Sequence, residues 1–261
     1  VIITNICKAH LEGFGSFEGV KKTKSELYHF LNKKGGIIFY HKNNSILNEL
    51  TANIPNKISY GNEQADFTGE LIDSPPFVHV KANFPKGVLY LNTQLIGNFN
   101  FENVLAAAAI GSYFKVEPLL IQKAIKEYKP QNIRSQLIVK GDVKIIMDAY
   151  NANPTSMQAS IISFINTFPG SQYLILGDML ELGTYSQQEH KTILDLIKNY
   201  PSVNVFFIGP VFSEIAKADH ENTFLNVTEF CDYLSNHKIS AGNFLIKGSR
   251  GIRLEKVLDY I

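Results

Sequence analysis

Beyond residue 135 the sequence alternates short, almost wholly apolar runs with amphipathic stretches of helix length. "VKIIMDAY" precedes "SMQASIISFINTF", and "QYLILGDM" precedes "SQQEHKTILDLIKNY". "NVFFIG", "TFLNV", "TEFCDYLSNH", "NFLIKGS" and "RLEKVLDYI" continue the pattern to the end. A strand that is apolar at every position is buried on both faces. Parallel strands also need a long crossover between them, usually a helix. The alternation therefore predicts an α/β unit, a Rossmann-like doubly wound parallel sheet over residues 136–261.

The first half is less regular. "VIIT" reads as a strand, a helix is predicted over Thr23–Asn32 with its stop at Gly35-Gly36, and "GIIFY" and "KISYG" read as strands around a short helix, "SILNELTANI". From Asp66 to Ile96 the period changes to two in "FVHVKANF" and "GVLYLNTQLI", a β-rich excursion. Two helices follow, the second opening on Pro118. "KPQNIRSQ" has the composition of a linker and places a domain boundary near residue 135, giving domains 1–135 and 136–261. The opening "VIITNICKAH" has no methionine and reads as the second half of a strand, which suggests a piece of a longer protein. Twenty-five basic and 24 acidic residues leave a net charge of +1, no footing for nucleic acid or an anionic membrane. No apolar run approaches the ~20 residues of a membrane-spanning helix. Cys7 and Cys231 stand at no ligand or redox spacing, as fits a reducing cytoplasm.

In doubly wound sheets ligands sit at the carboxyl ends of strands. Three such ends here are unusually polar: Asp148 with Asn151 and Asn153; Gly177, Asp178 and Glu181 in "LGDMLELG"; and Lys247, Ser249 and Arg250 in "IKGSRGIRLE". Each alone suits a helix cap or a turn. Three on one edge of one sheet favour a shared ligand, and the Lys-Gly-Ser-Arg cluster suits a carboxylate or phosphate. His190 beside Glu189 reads as a surface or capping histidine. In the first half, Asn5, His10 and Glu12 follow a strand and include groups able to hold a divalent metal, although one histidine beside one glutamate is weak evidence. Lys24 falls at the start of the predicted helix, where the dipole disfavours a cation. Gly13-x-Gly15-x-x-x-Gly19 is one residue too long for a dinucleotide fingerprint, and no phosphate loop occurs.

Taken in order, "TNICKAHLEGFGSFEGVKKTKSELY", "DAYNANPTSM", "LGDMLELG" and "KGSRGIRLE" resemble the Mur ligases along the whole chain. "YNANP" with "GDMLELG" points to the branch that joins D-Ala-D-Ala to UDP-MurNAc-tripeptide. The resemblance implies the C-terminal part of a central ATPase domain followed by a complete Rossmann-like C-terminal domain. The phosphate loop and a metal-binding glutamate would lie upstream, so the 261 residues alone would be inactive. It further implies that His10 binds one Mg2+, and that Lys24 is carbamylated and helps hold a second. Asn100, Asn103, Arg134 and Asp148 would lie near ATP. Asn151, Asn153, Lys247 and Ser249 would face the reacting centre or the incoming dipeptide, with Arg250 beside them as a further substrate contact; His10, Lys24 and Lys247 would be the catalytic groups. Phe99 stands where the family has histidine, and Cys7 where glycine is common.

The implied reaction forms an acyl phosphate at the tripeptide carboxylate. The dipeptide amine then attacks it within a site split across the two domains. A cytoplasmic monomer is implied. The alternatives are another Mur-type or folylpolyglutamate-like ligase, or a non-catalytic nucleotide- or peptide-binding module.

Overall fold

A computed structural model describes residues 1–72 and 75–261. The chain divides into two compact units, Val1–Cys7 with Phe14–Lys129, and Lys8–Gly13 with Pro130–Ile261.

The first unit is built on a five-stranded sheet in the order β1 (Ile38–His41), β2 (Lys57–Gly61), β3 (Phe67–Ile72), β4 (Phe77–Phe84) and β5 (Gly87–Ile96). β1, β2 and β3 are parallel; β3, β4 and β5 run antiparallel, so the period-two runs form the half-buried part of the sheet. The helices Phe101–Tyr113 and Pro118–Glu127 bring Val104, Leu105, Ala108 and Ile121 to the core formed by Tyr60, Val80 and Leu91.

Two expectations change. "VIIT" is not a strand but a single parallel bridge from Ile2 to Phe39. The predicted helix over Thr23–Asn32 spans Phe17–Lys34, because Ser16 caps it: its hydroxyl accepts the Gly19 N–H at 3.0 Å. Lys24 therefore lies in the third turn, beyond the reach of the N-terminal dipole, and the electrostatic oddity expected of it is absent. The stop is where it was expected, with Gly35 left-handed at φ 73°.

The second unit carries a six-stranded sheet. Its strands are β6 (Gln136–Lys140), β7 (Val143–Asp148), β8 (Gln172–Gly177), β9 (Asn204–Ile208), β10 (Thr223–Phe224) and β11 (Gly242–Lys247), in the order β10-β9-β8-β11-β7-β6. All neighbours are parallel except β6 and β7, a hairpin turning at Gly141-Asp142. β6 lies between the linker-like run and the first run that reads as a strand, and carries no strand signal of its own because its residues are half-exposed on a sheet edge. Alternation along the strands serves both faces. Ile145, Met147, Ile175 and Phe244 pack on one core with Phe230 and Leu234 of the helix Val227–Asn236. Ile146, Leu174, Leu176, Phe207 and Leu245 are buried on the other face. "RLEKVLDYI" closes that first core through Leu254 and Val257, in 3-10 turns rather than an α-helix. This is the doubly wound α/β unit that the apolar runs predict.

Candidate functional site

The parallel ladder sets Lys247 beside Asp148 at the carboxyl ends of β11 and β7. Neighbouring residues of a parallel register share a face, so the ammonium meets the carboxylate at 2.6 Å. Lys247 is 2% exposed and Asp148 15%. A cation this buried persists only when paired. Asp148 takes three more contacts, from the Ser135 N–H at 3.1 Å and hydroxyl at 3.4 Å, and from the Ser160 hydroxyl at 3.2 Å. Beside this group the Arg134 guanidinium lies 3.7 Å over the Tyr150 ring.

Asp178 follows β8 and is fully buried. Its two oxygens accept the Val211 and Phe212 N–H groups, both at 2.9 Å, in the first turn of the helix Pro210–Ala216. Gly209 lets this happen: its φ is +126°, and a Cβ there would sit 2.4 Å from the carboxyl carbon of Asp178. Burial pushes the Asp178 carboxyl up from its ordinary value, while the two N–H donors and His190 pull it back. His190, also fully buried, accepts the Met179 N–H at Nε2 at 2.9 Å and gives its Nδ1–H to the Ser186 carbonyl at 2.7 Å. It is therefore the neutral Nδ1–H tautomer, and burial holds its pKa below the ordinary histidine value. The surface or capping reading of His190 is overturned. Its polar atoms are satisfied by main chain that it meets only after folding.

Ser249 ties the third strand end to this second one, donating its N–H to the Asp178 carbonyl at 3.1 Å and accepting the Leu180 N–H at 2.8 Å. The three polar ends thus form one continuous hydrogen-bonded edge, and Asp178 and Ser249 join β8, β9 and β11 across it. Asn153 is the N-cap of the helix Pro154–Thr167, in a reciprocal capping box with Ser156, and Asn151 accepts the Ala152 N–H at 2.9 Å. Arg250, exposed, reaches Glu255 at 3.3 Å.

The segment Lys8–Gly13 belongs to this same unit. His10 pairs through Nδ1 with the Glu181 carboxylate, the Glu12 N–H donates to the Glu181 carbonyl at 3.1 Å, and Lys8 meets Glu189 at 2.6 Å. Neither pairing was read from the sequence, since 171 and 181 residues separate the partners. In the first unit, Asn100 is buried and donates to the Ile96 carbonyl at 2.8 Å, and Asn103 donates to Asn100 at 3.0 Å. Lys24 donates to the Asn5 carbonyl at 3.0 Å.

The family profile of the Mur ligase middle domain matches residues 1–111, and that of the Mur ligase glutamate ligase domain matches residues 133–238. The chain belongs to the Mur ligase family. A UDP-N-acetylmuramoyl-tripeptide–D-alanyl-D-alanine ligase of Buchnera aphidicola is 31% identical over 100% of this chain and 58% of its own length. The crystal structure of MurF from Acinetobacter baumannii superposes with a TM-score of 0.86 at 26% identity, over 99% of this chain and 58% of that one. A MurF ligase from Thermotoga maritima, in complex with ADP, shares the fold with a TM-score of 0.81 at 20% identity, over 99% of this chain and 60% of that one. The Mur ligase chain thus spans somewhat more than half the length of these relatives.

Mg2+ is commonly held by one or two protein groups, with phosphate oxygens and water completing its shell. An imidazole whose Nδ1 is held by a carboxylate fits as one such group. Lys24 fits only as a carbamate, because an ammonium has no lone pair to offer. Among the described residues no three His, Cys, Asp or Glu side chains gather into a self-contained metal cage. No helix of the described residues is long and apolar enough to cross a membrane.

Proposed function

We propose that the whole protein of which this chain is part is the ATP-dependent ligase that adds D-Ala-D-Ala to UDP-MurNAc-tripeptide, in cytoplasmic peptidoglycan precursor synthesis. The observation that carries this reading is the end-to-end likeness to relatives of that name, with no stretch of the chain left over. The γ-phosphoryl group of ATP passes to the terminal carboxylate of the tripeptide, forming an acyl phosphate. The D-Ala-D-Ala amine attacks its carbonyl carbon, the tetrahedral intermediate expels phosphate, and the amine loses a proton. Mg2+, held in part by His10 and, for a second ion, by Lys24 as its carbamate, supplies charge stabilisation on the phosphates.

The chain's own residues act by binding and orientation. Asn100 and Asn103 order the start of the helix Phe101–Tyr113, where the nucleotide is expected. The Arg134–Tyr150 pair offers a flat, cationic surface suited to a nucleotide. Asp148 is expected to lie beside the ribose, its carboxylate held in place by Lys247, Ser135 and Ser160. Lys247 is thus a positioning residue, its ammonium occupied by Asp148. Ser249, Asn151, Asn153 and Arg250 line the edge expected to receive the dipeptide.

The test is phosphate release and product mass with ATP, UDP-MurNAc-tripeptide and D-Ala-D-Ala, using the whole protein and its Lys24→Ala variant. Ligation that is lost in the variant supports the reading. A variant that still ligates normally would favour a non-catalytic role for this segment. Labelled bicarbonate should give a carbamate carbon resonance that Lys24→Ala lacks.

A further inference from the structure

The loop that follows β8 is held at nearly every residue. Asp178 is fixed by the start of the helix Pro210–Ala216 and by the Ser249 N–H, Met179 by His190, Leu180 by the Ser249 hydroxyl, and Glu181 by the Glu12 N–H. All this hydrogen bonding fixes a loop whose apex residue, Glu181, is in the left-handed conformation at φ 64°. His10, which faces it, is left-handed too, at φ 55°. Left-handed backbone is costly for any residue with a Cβ, and two such residues set side chain to side chain mark a geometry that the surroundings impose. The His10 segment is itself fixed on both sides, by Lys8 on the buried Glu189 and by Glu12 on the Glu181 carbonyl.

The contact adds little to stability, since both side chains are more than half exposed, at 51% and 58%. Its consequence is for the imidazole. With Nδ1–H given to the carboxylate, Nε2 on the far side of the ring is left with its bare lone pair. An imidazole free in water prefers the opposite tautomer, with the proton on Nε2, which cannot bind a cation through that nitrogen.

We propose that Glu181 is a positioning residue that holds His10 in the Nδ1–H tautomer and so presents Nε2 as a ready ligand for a divalent cation. The cation half of this rests on the reading of His10 given above. Glu181 thereby joins the "GDMLELG" loop to the chemistry through one imidazole, and the hydrogen bonds of Asp178, His190 and Ser249 serve to hold that carboxylate in place.

The test has two arms. In the first, the 261-residue chain is made with labelled histidine, and the His10 resonances are assigned by their loss in His10→Gln. Ring carbon and nitrogen shifts at about pH 9, above the ordinary histidine range, report the tautomer. The wild-type chain should show Nδ1–H. Glu181→Gly, which removes the carboxylate but accepts the left-handed backbone, should switch to Nε2–H, and Glu181→Gln, which keeps an acceptor oxygen, should not. An Nε2–H tautomer in the wild type, or no switch in Glu181→Gly, overturns the proposal and leaves the reading of His10 untouched. In the second arm, the whole protein is titrated with Mg2+ during ATP turnover. Glu181→Gly should weaken the apparent Mg2+ constant about 10- to 100-fold, with Glu181→Gln much closer to wild type. A tautomer that switches while the Mg2+ constant stays put overturns the assignment of His10 to the cation, and the proposal with it.

Discussion

Replacing Lys247 with methionine separates the two things this side chain does. Methionine keeps most of the buried aliphatic stem, so the packing against β7 and β8 survives and only the ammonium is lost. What remains is the Asp148 carboxylate, 15% exposed and without its 2.6 Å partner. Breaking a buried ion pair from one side costs about 3–5 kcal/mol. Asp148 keeps the Ser135 N–H and the Ser160 hydroxyl, so the lower end applies, about 3 kcal/mol. With a urea m-value near 2 kcal/mol per M, the midpoint of the second unit should fall by about 1.5 M. The unit offers its own probe in Cys231, which is 4% exposed and reacts with a thiol reagent only when the unit opens; Cys7→Ala leaves it the single thiol. In the double variant Asp148→Asn/Lys247→Met neither charge is present, and stability should return to within about 1 kcal/mol of wild type. A single variant that costs less than about 1 kcal/mol, or a double variant as unstable as the sum of its singles, would refute the buried-pair account.

Two further outcomes follow from the Asp178 cluster. The folded state holds His190 neutral with its pKa lowered by burial, so its contribution to stability is full above about pH 6.5 and is lost as pH falls below that. Asp178, raised by burial, runs the other way, but it is present in both proteins compared below, so the difference between their curves reports the histidine. Urea midpoints of the wild type should drop between pH 7 and pH 5.5 more steeply than those of His190→Gln, whose amide oxygen can still accept the Met179 N–H; parallel curves would contradict this. Gly209→Ala places a Cβ against the Asp178 carboxylate at φ +126°, and should cost about 3 kcal/mol, or roughly 10 °C in the melting of this unit. A melting temperature within a few degrees of wild type would show that the strand ends are looser than drawn.

What the sequence revealed and what it hid divide along a physical line. β2, β4 and β5 fall where the sequence places them, because burial on one or both faces writes a local pattern. β6 escaped because an edge strand needs little apolar surface, and the start of the helix Phe17–Lys34 because glycines on both sides masked the Ser16 cap. The three polar strand ends come together on one edge of the second unit. Their roles were not legible, since Asp148 and Lys247 are 99 residues apart and only the β7–β11 register makes them neighbours. The asparagines illustrate the same limit. Asn153 proves to be a helix cap, the local use that its spacing to Ser156 permits. His190 was misjudged because its partners are main-chain groups that adjoin it only in the folded loop.

The central claim is tested most directly by the mass of the product that the whole protein makes from ATP, UDP-MurNAc-tripeptide and D-Ala-D-Ala. The account predicts one UDP-MurNAc-pentapeptide for each phosphate released, with no ligation when D-Ala-D-Ala is omitted. Incorporation of a single amino acid in preference to the dipeptide, or ATP turnover with no peptide product, would contradict it.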